Sequence, residues 1–127
     1  MEDVIPFDLA KKLKDDGATI PCIGHYHNGK FSINHEHKTL CFNNDIFTDY
    51  VDAPTIYQVL KYYREEKKIA INISFVPHTW QYVISDMEFS SRFDDYGRIM
   101  YTSYEEAAID AIKKVRYYLK YNTFEQN

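Results

Sequence analysis

Four histidines lie within thirteen residues of each other, as two His-X-His pairs between the two cysteines of the chain. Imidazole and thiolate are ligands that zinc and copper accept, so this segment is a candidate metal site. The candidate ligands are His25, His27, His35 and His37. Asn28-Gly29 favours a two-residue hairpin turn, which would place the first pair on one face and the second pair on the other. Ligands on opposite faces do not converge, so solvated imidazoles on an exposed hairpin are the favoured interpretation.

Other residue groups are weaker candidates for chemistry. The same hairpin register places the Cys22 thiol opposite the His35 base, but no third residue orients the pair, and a packing contact is favoured. A group of carboxylates follows later in the chain: Asp86, Glu88, Asp94 and Asp95. Their spacing lacks the frame of a calcium loop and favours a solvated loop. The glycines stand alone, without a phosphate-binding loop. We therefore predict no catalytic residue, no cofactor and no enzyme activity.

A basic stripe runs along the last predicted helix. Lys113, Arg116 and Lys120 recur at helical spacing, with Tyr117 and Tyr121 beside them. Such a stripe can hold phosphates and stack bases, although the solvated back of an amphipathic helix has the same pattern. The chain contains 12 tyrosines, more than one small core needs to bury, and tyrosine is enriched at interfaces. The prediction is a face that binds a protein, either a host protein or a second copy, with nucleic acid a less favoured partner.

Hydrophobic periodicity indicates the elements that position these residues. Apolar residues at helical spacing predict helices over 6–17, over 54 to about 66, and from Thr102 or Ser103 to about 121. Thr55 and Gln58 resemble a capping box at the start of the second helix. Thr102 or Ser103, with Glu105 or Glu106, resembles a capping box at the start of the last helix. A β-hairpin is predicted within 22–41, followed by a polar and acidic connection over 43–53. Strands are predicted over 69–75 and 80–85, with a third over 98–101 after a polar connection.

The strands 69–75 and 80–85 form a second predicted hairpin, closed at Pro77-His78. This closure pairs three residues of one strand with three of the other: Phe75 with Trp80, Ile73 with Tyr82, and Ile71 with Ile84. All six large side chains then share one face, because directly opposite residues lie on the same side of a sheet. We expect the last helix to cover this face.

The predicted fold class is α+β, an antiparallel sheet with helices packed on one face, in the order α-β-β-α-β-β-(β)-α. The second half has the element order of the double-stranded RNA-binding fold. Resemblance to those domains calls for lysines at the start of the last helix, where this chain has Tyr104-Glu105-Glu106. The resemblance is therefore one of topology.

Length and composition restrict the remaining possibilities. The 127 residues, 45% of them apolar and 17% aromatic, predict a single domain over 1–127 with a frayed tail at about 122–127. A net charge of −4 disfavours a general nucleic-acid binder. The chain has no apolar run of membrane-spanning length and no signal-peptide pattern at its start, so we expect no membrane and a cytoplasmic location. Cys22 and Cys41 are expected to be reduced thiols.

Four segments, read together, resemble a group of small proteins of bacteriophages and mobile elements, notably those of gut Bacteroidetes. The four segments are Phe7–Lys14 with the later Gly17, Pro21-Cys22, Ala53–Leu60 and Tyr104–Ala108. The resemblance implies a phage or prophage origin and a bacterial cytoplasm, and transfers no activity to any residue. The last strand and helix are also similar to HicB-type antitoxins. An accessory protein that acts by protein–protein interaction is thus the leading hypothesis, and an antitoxin-like nucleic-acid-binding module is the alternative.

Overall fold

A computed structural model of the chain describes residues 3–44, 49–77, 79–86, 92–93 and 101–122. The class is α+β, as predicted, and the strands form two three-stranded antiparallel sheets. The chain divides into two compact units, residues 1–59 and 60–127. The predicted single domain over 1–127 stays a prediction. Among the described residues, no helix combines the length and apolar character needed to cross a membrane.

The first unit contains one complete helix and one small sheet. Helix α1 spans Phe7–Asp15, buries Leu9, Ala10 and Leu13, and is followed by Gly17 at a positive φ of 79°. Strands β1 (Gly24–His27) and β2 (Lys30–Ile33) form the predicted hairpin, with His27 opposite Lys30. The sheet order is β2-β1-β3, and β3 (Val51–Asp52) pairs antiparallel with β1.

The hairpin is shorter than predicted, and β3 lies in the segment interpreted as a connection. Outside the hairpin, short 3-10 helices form over His35–His37 and Phe42–Asn44. Strand β3 has only two residues, so it leaves no alternating pattern from which to predict it. Its residue Asp52 is fully buried, and such a polar residue is uncommon inside a protein unless it is hydrogen-bonded.

Helix α2 spans Ile56–Glu66 and begins with the predicted capping box. The Gln58 backbone N–H donates to Thr55 Oγ1 at 3.2 Å, and the Thr55 backbone N–H donates to Gln58 Oε1 at 2.8 Å. The start of the chain lies alongside this turn, because Val4 forms an antiparallel bridge with Thr55. The first turn of α2 is thereby held within the first unit.

The second unit is built on the long hairpin of β4 (Ile69–Val76) and β5 (Thr79–Asp86). Its register is the predicted one: Phe75 pairs with Trp80, Ile73 with Tyr82, and Ile71 with Ile84. Val76 pairs with Thr79, so two residues connect the strands. Tyr82 and Ile84 are fully buried, and α3 packs against both strands.

The predicted third strand over 98–101 lies mostly outside the described residues, and a short strand forms earlier in the chain. Strand β6 spans Arg92–Phe93, inside the predicted polar connection, and pairs with β5. Of the predicted 98–101 segment, only Tyr101 belongs to the described part, where it forms an isolated bridge with Trp80. Both contacts lie along β5, in different registers.

Helix α3 spans Tyr104–Tyr121, as predicted. Ser103 is its N-cap, while Glu106 accepts hydrogen bonds from the backbone N–H and hydroxyl of Thr102. The helix buries one stripe of small and branched residues: Ala107, Ala108, Ala111, Ile112 and Val115. Asn122, predicted to begin the frayed tail, ends the helix in the left-handed conformation at φ 58°, and 123–127 lie outside the described residues.

We expect Ser103→Ala to lower the free energy of unfolding by about 1 kcal/mol, because the Glu106 N–H loses the Oγ acceptor that lies 3.1 Å away. Urea unfolding followed by circular dichroism measures this change. Ser32→Ala, on the exposed side of β2, is the control and should change stability by less than about 0.5 kcal/mol. Equal effects of the two substitutions would contradict the role of the cap.

Candidate interaction surface

The outer face of α3 carries the residues that the sequence singled out. Lys113 and Lys120 are exposed, and Arg116 and Tyr117 are half-buried. The Tyr117 and Tyr121 rings lie 4.6 Å apart, and Lys120 Nζ lies 5.3 Å from the Tyr121 ring centroid. At 100° per residue these side chains point away from the buried stripe. The helix therefore brings all five predicted residues together on one surface, which we call the α3 face.

The charge of this surface changes along the helix. Glu106 and Asp110 occupy the same side of α3 nearer its start, whereas the cations begin at Lys113. This order matches the helix dipole, with acids near the N-terminus and bases near the C-terminus. The cationic part covers about 10 Å, because seven residues separate Lys113 from Lys120 at 1.5 Å each.

Burial along α3 ends before the helix does. None of the six helical residues after Val115 is buried, and Leu119 and Tyr121 are 45% and 54% exposed. Leu119 continues the apolar spacing of Ile112 and Val115, which predicts that its side chain is buried, and this prediction is wrong. Leu119 does follow the helical spacing of the buried residues, but the described part of the sheet does not cover the last turns of α3. A pattern alone does not reveal where the cover ends.

A second aromatic surface lies at the closed end of the β4–β5 hairpin. The Phe75 and Trp80 rings are 5.1 Å apart, and the Trp80 and Tyr104 rings are 5.7 Å apart in an edge-to-face arrangement. Phe75 is 63% exposed, so the predicted continuous buried layer is wrong at this end. The pairing register was predicted correctly, but of the six paired side chains only Tyr82 and Ile84 are fully buried. The signal that could have indicated exposure is the position of Phe75 next to the loop.

The four histidines have different environments. His25 Nδ1 lies 2.6 Å from Asn34 Oδ1, and this ring nitrogen must be the donor because a carboxamide oxygen only accepts. The His25 ring also contacts Phe42 and Tyr50, at centroid distances of 5.3 and 4.9 Å. His25 is therefore half-buried and structural, in contrast to the solvated imidazole that the sequence suggested. His27 is exposed, and its ring lies against Tyr50.

His35 and His37 lie outside the hairpin strands, not on the strand face that the sequence assigned to them. They belong to the 3-10 turn after β2, in which Glu36 and His37 both have φ of 55°. Residues other than glycine adopt this left-handed conformation at a cost, so other contacts must hold the turn. Buried Asn34 does so: its Nδ2 donates to Cys22 O at 3.0 Å and to Lys38 O at 2.8 Å.

The predicted pairing of Cys22 with His35 is wrong. Cys22 bridges to Leu40, because the 3-10 turn at His35–His37 shifts the returning chain, and the His35 side chain is exposed. Within the described residues, no three His, Cys, Asp or Glu side chains form a group that could hold a metal ion. Asp86 ends β5, and the other carboxylates singled out with it, Glu88, Asp94 and Asp95, lie outside the described residues.

Both thiols are held in their protonated form. Burial, assisted by the nearby Asp52 carboxylate, raises the pKa of Cys22 to about 12. Burial and a hydrogen bond with Asp52 raise the pKa of Cys41 to about 11. Asp52 itself accepts hydrogen bonds from the backbone N–H groups of Phe42 and Asn43, at 2.7 and 3.0 Å. Since the thiolate is the reactive form, this cluster is structural.

Comparisons of the chain with protein-family models, with curated proteins and with solved structures found no match.

We expect both thiols to react slowly with a disulfide reagent such as DTNB while the protein is folded. A thiol of pKa about 11 has roughly one hundredth of the thiolate, at pH 8, of a thiol with the ordinary value of 9. The rate of Cys41 should keep rising about tenfold per pH unit up to pH 10. A cysteine introduced at the exposed position by Ser32→Cys is the control and should level off near pH 9. Equally fast modification of folded and urea-unfolded protein would contradict this account.

Proposed function

We propose that the protein is a non-enzymatic binding module whose α3 face recognises an acidic segment of another protein. The observation that carries the proposal is the contact between the half-buried Tyr117 ring and the exposed Tyr121 ring, on the same helix face as the cations Lys113 and Lys120. Tyrosine supplies a large apolar surface with few rotatable bonds, and arginine and tyrosine are common among residues that dominate binding energy. The partner would place carboxylates beside an apolar side chain that covers the rings.

The charge layout supports a protein partner over a nucleic acid. A phosphate backbone running along α3 would meet Glu106 and Asp110 within two turns of the cations. A short acidic segment needs only the cationic half of the helix. The net charge of −4 also disfavours nucleic acid, because at long range the protein as a whole repels a polyanion.

The biological setting is proposed from the sequence resemblance alone. In this proposal the chain is an accessory protein of a phage or mobile element that acts in the cytoplasm of a bacterial host. A host protein is then the expected partner, and a second copy of the chain is the alternative occupant of the α3 face. The absence of a cofactor requirement is part of the same proposal.

Selection from a random peptide display library tests the protein-binding proposal. We expect the selected peptides to be enriched in Asp, Glu and apolar residues, because the α3 face combines cations with rings. The double variant Lys113→Glu/Lys120→Glu should weaken binding of a selected peptide at least about tenfold, measured by calorimetry, since two attractions become repulsions. Tyr121→Ala should weaken it by a similar factor.

The matched control reverses two exposed cations of the first unit, Lys11→Glu/Lys12→Glu on α1, and should leave peptide affinity within about twofold. Peptides without acidic enrichment would contradict the proposal. A loss of binding in Phe75→Ala, with Tyr121→Ala unaffected, would move the interface to the end of the hairpin. Native mass spectrometry of the chain alone distinguishes a second copy from a different protein as the partner.

Nucleic-acid binding is the second candidate, because three cations interleaved with two rings suit a single strand that stacks its bases. If the α3 face contacts three phosphates, log affinity should fall against log salt with a slope of about −2. Fluorescence anisotropy with labelled 20-nucleotide RNA and DNA measures this slope. The triple reversal of Lys113, Arg116 and Lys120 to Glu should then abolish binding, and unchanged affinity would remove this candidate.

A further inference from the structure

The first unit contains a cavity of about 490 Å³. Its wall is mainly apolar, with five aliphatic or aromatic contributors: Val4, Ile23, Phe31, Ile33 and Ala53. Of these residues Ala53 is buried and Ile23 is exposed, so the cavity is lined by both interior and surface side chains. Small-molecule sites have this size and this mainly apolar lining.

Gly24 gives the cavity its shape. A Cβ at this position would lie 2.6 Å from Phe31 Cε2, closer than real side chains approach. Glycine therefore allows the Phe31 ring to lie against β1 and form part of the wall. A larger residue would displace the ring.

Three polar groups line the same cavity, and each can donate a hydrogen bond. Gln58 Oε1 is occupied by the Thr55 N–H, which orients the carboxamide and leaves its Nε2 hydrogens without an acceptor among the described residues. Thr55 Oγ1 accepts from the Gln58 N–H, so its own hydroxyl hydrogen is still available. The two residues of the capping box that starts α2 thus both line the cavity and both retain a donor.

The third donor is His37, which belongs to the left-handed turn and lines the cavity. Its imidazole makes no hydrogen bond or ion pair within the described part of the chain, and it is exposed. The backbone conformation there, φ 55°, is held by the hydrogen bonds of Asn34 described above. Among the described residues that line the cavity there is no Asp or Glu, so none of them carries a charge that repels an anion.

We propose that this cavity binds a small amphipathic carboxylate, with the carboxylate held by Gln58, Thr55 and His37 and the apolar chain held among Ile23, Phe31 and Ile33. Because these three side chains have donors that no described residue accepts, they favour a ligand whose head group accepts hydrogen bonds. Charge-assisted hydrogen bonds to a carboxylate are stronger than neutral ones. The apolar wall selects an aliphatic body. This binding site belongs to the first unit and is independent of the α3 face.

Titration of the full chain with octanoate, followed by calorimetry and amide chemical shifts, tests the proposal. Saturable binding is expected, with shift changes at Ile23, Ile33 and Ala53, and with an affinity at least about fivefold higher than that for octan-1-ol, which has the same chain without the anion. Equal affinity for the alcohol, or shift changes confined to 60–127, would overturn the carboxylate site.

Two variants test the donors without disturbing the fold. Gln58→Glu retains an oxygen acceptor for the Thr55 N–H but replaces the donating nitrogen with a negative oxygen, so octanoate affinity should fall at least about tenfold. Unfolding in urea, unchanged from the wild type, shows that the cap is intact. His37→Ala should lower the affinity about fivefold.

Each variant has a matched control. Gln81→Glu makes the same chemical change in the second unit, and His35→Ala removes an exposed imidazole of the same turn that does not line the cavity. Both controls should bind octanoate within about twofold of the wild type. Losses as large as those of Gln58→Glu and His37→Ala would overturn the site.

Discussion

Burial of one stripe of α3 against β4 and β5 is the contact on which the structure of the second unit depends. Ala107, Ala108 and Ala111 have no exposed surface, and small side chains let a helix approach a sheet closely. Because the side chains of a helix are fixed relative to each other, burying this stripe determines that Lys113, Lys120 and Tyr121 point outward. The same packing stops at Val115, which leaves the ring-rich end of the helix accessible. The α3 face is thus a direct consequence of how the core is filled.

The first unit relies on a different constraint, because its strands are short and its interior contains polar side chains. A buried polar group is costly unless its hydrogen bonds are satisfied. Asn34 satisfies this requirement by joining His25, Cys22 and Lys38, and Asp52 does so by accepting from the backbone of the turn at Phe42. These bonds hold the chain in conformations that neither hydrophobic pattern nor turn propensity would select, including the left-handed pair at Glu36 and His37.

The chemistry available to the chain follows from these two modes of packing. Burial protonates the thiols and a hydrogen bond occupies His25, so residue types that often perform catalysis serve structure here. The accessible groups include rings and cations on α3, and hydrogen-bond donors around an apolar cavity. Both arrangements are suited to binding. They lie in different units, so the proposed protein-binding and carboxylate-binding roles can be examined separately.

The amino-acid sequence by itself determined the elements whose signals are local. The capping box at Thr55 and Gln58, the span of α3, the Asn28-Gly29 turn and the β4–β5 register were all predicted correctly, because each depends on spacing within a few residues. The members of the α3 face were predicted for the same reason. Tertiary structure decided which parts of each pattern are covered, as Phe75 and Leu119 illustrate. It also decided the positions of β3 and β6, the pairing of Cys22 with Leu40, and the cavity at Gln58 and His37. These features depend on contacts between segments distant in sequence, and local periodicity does not record such contacts.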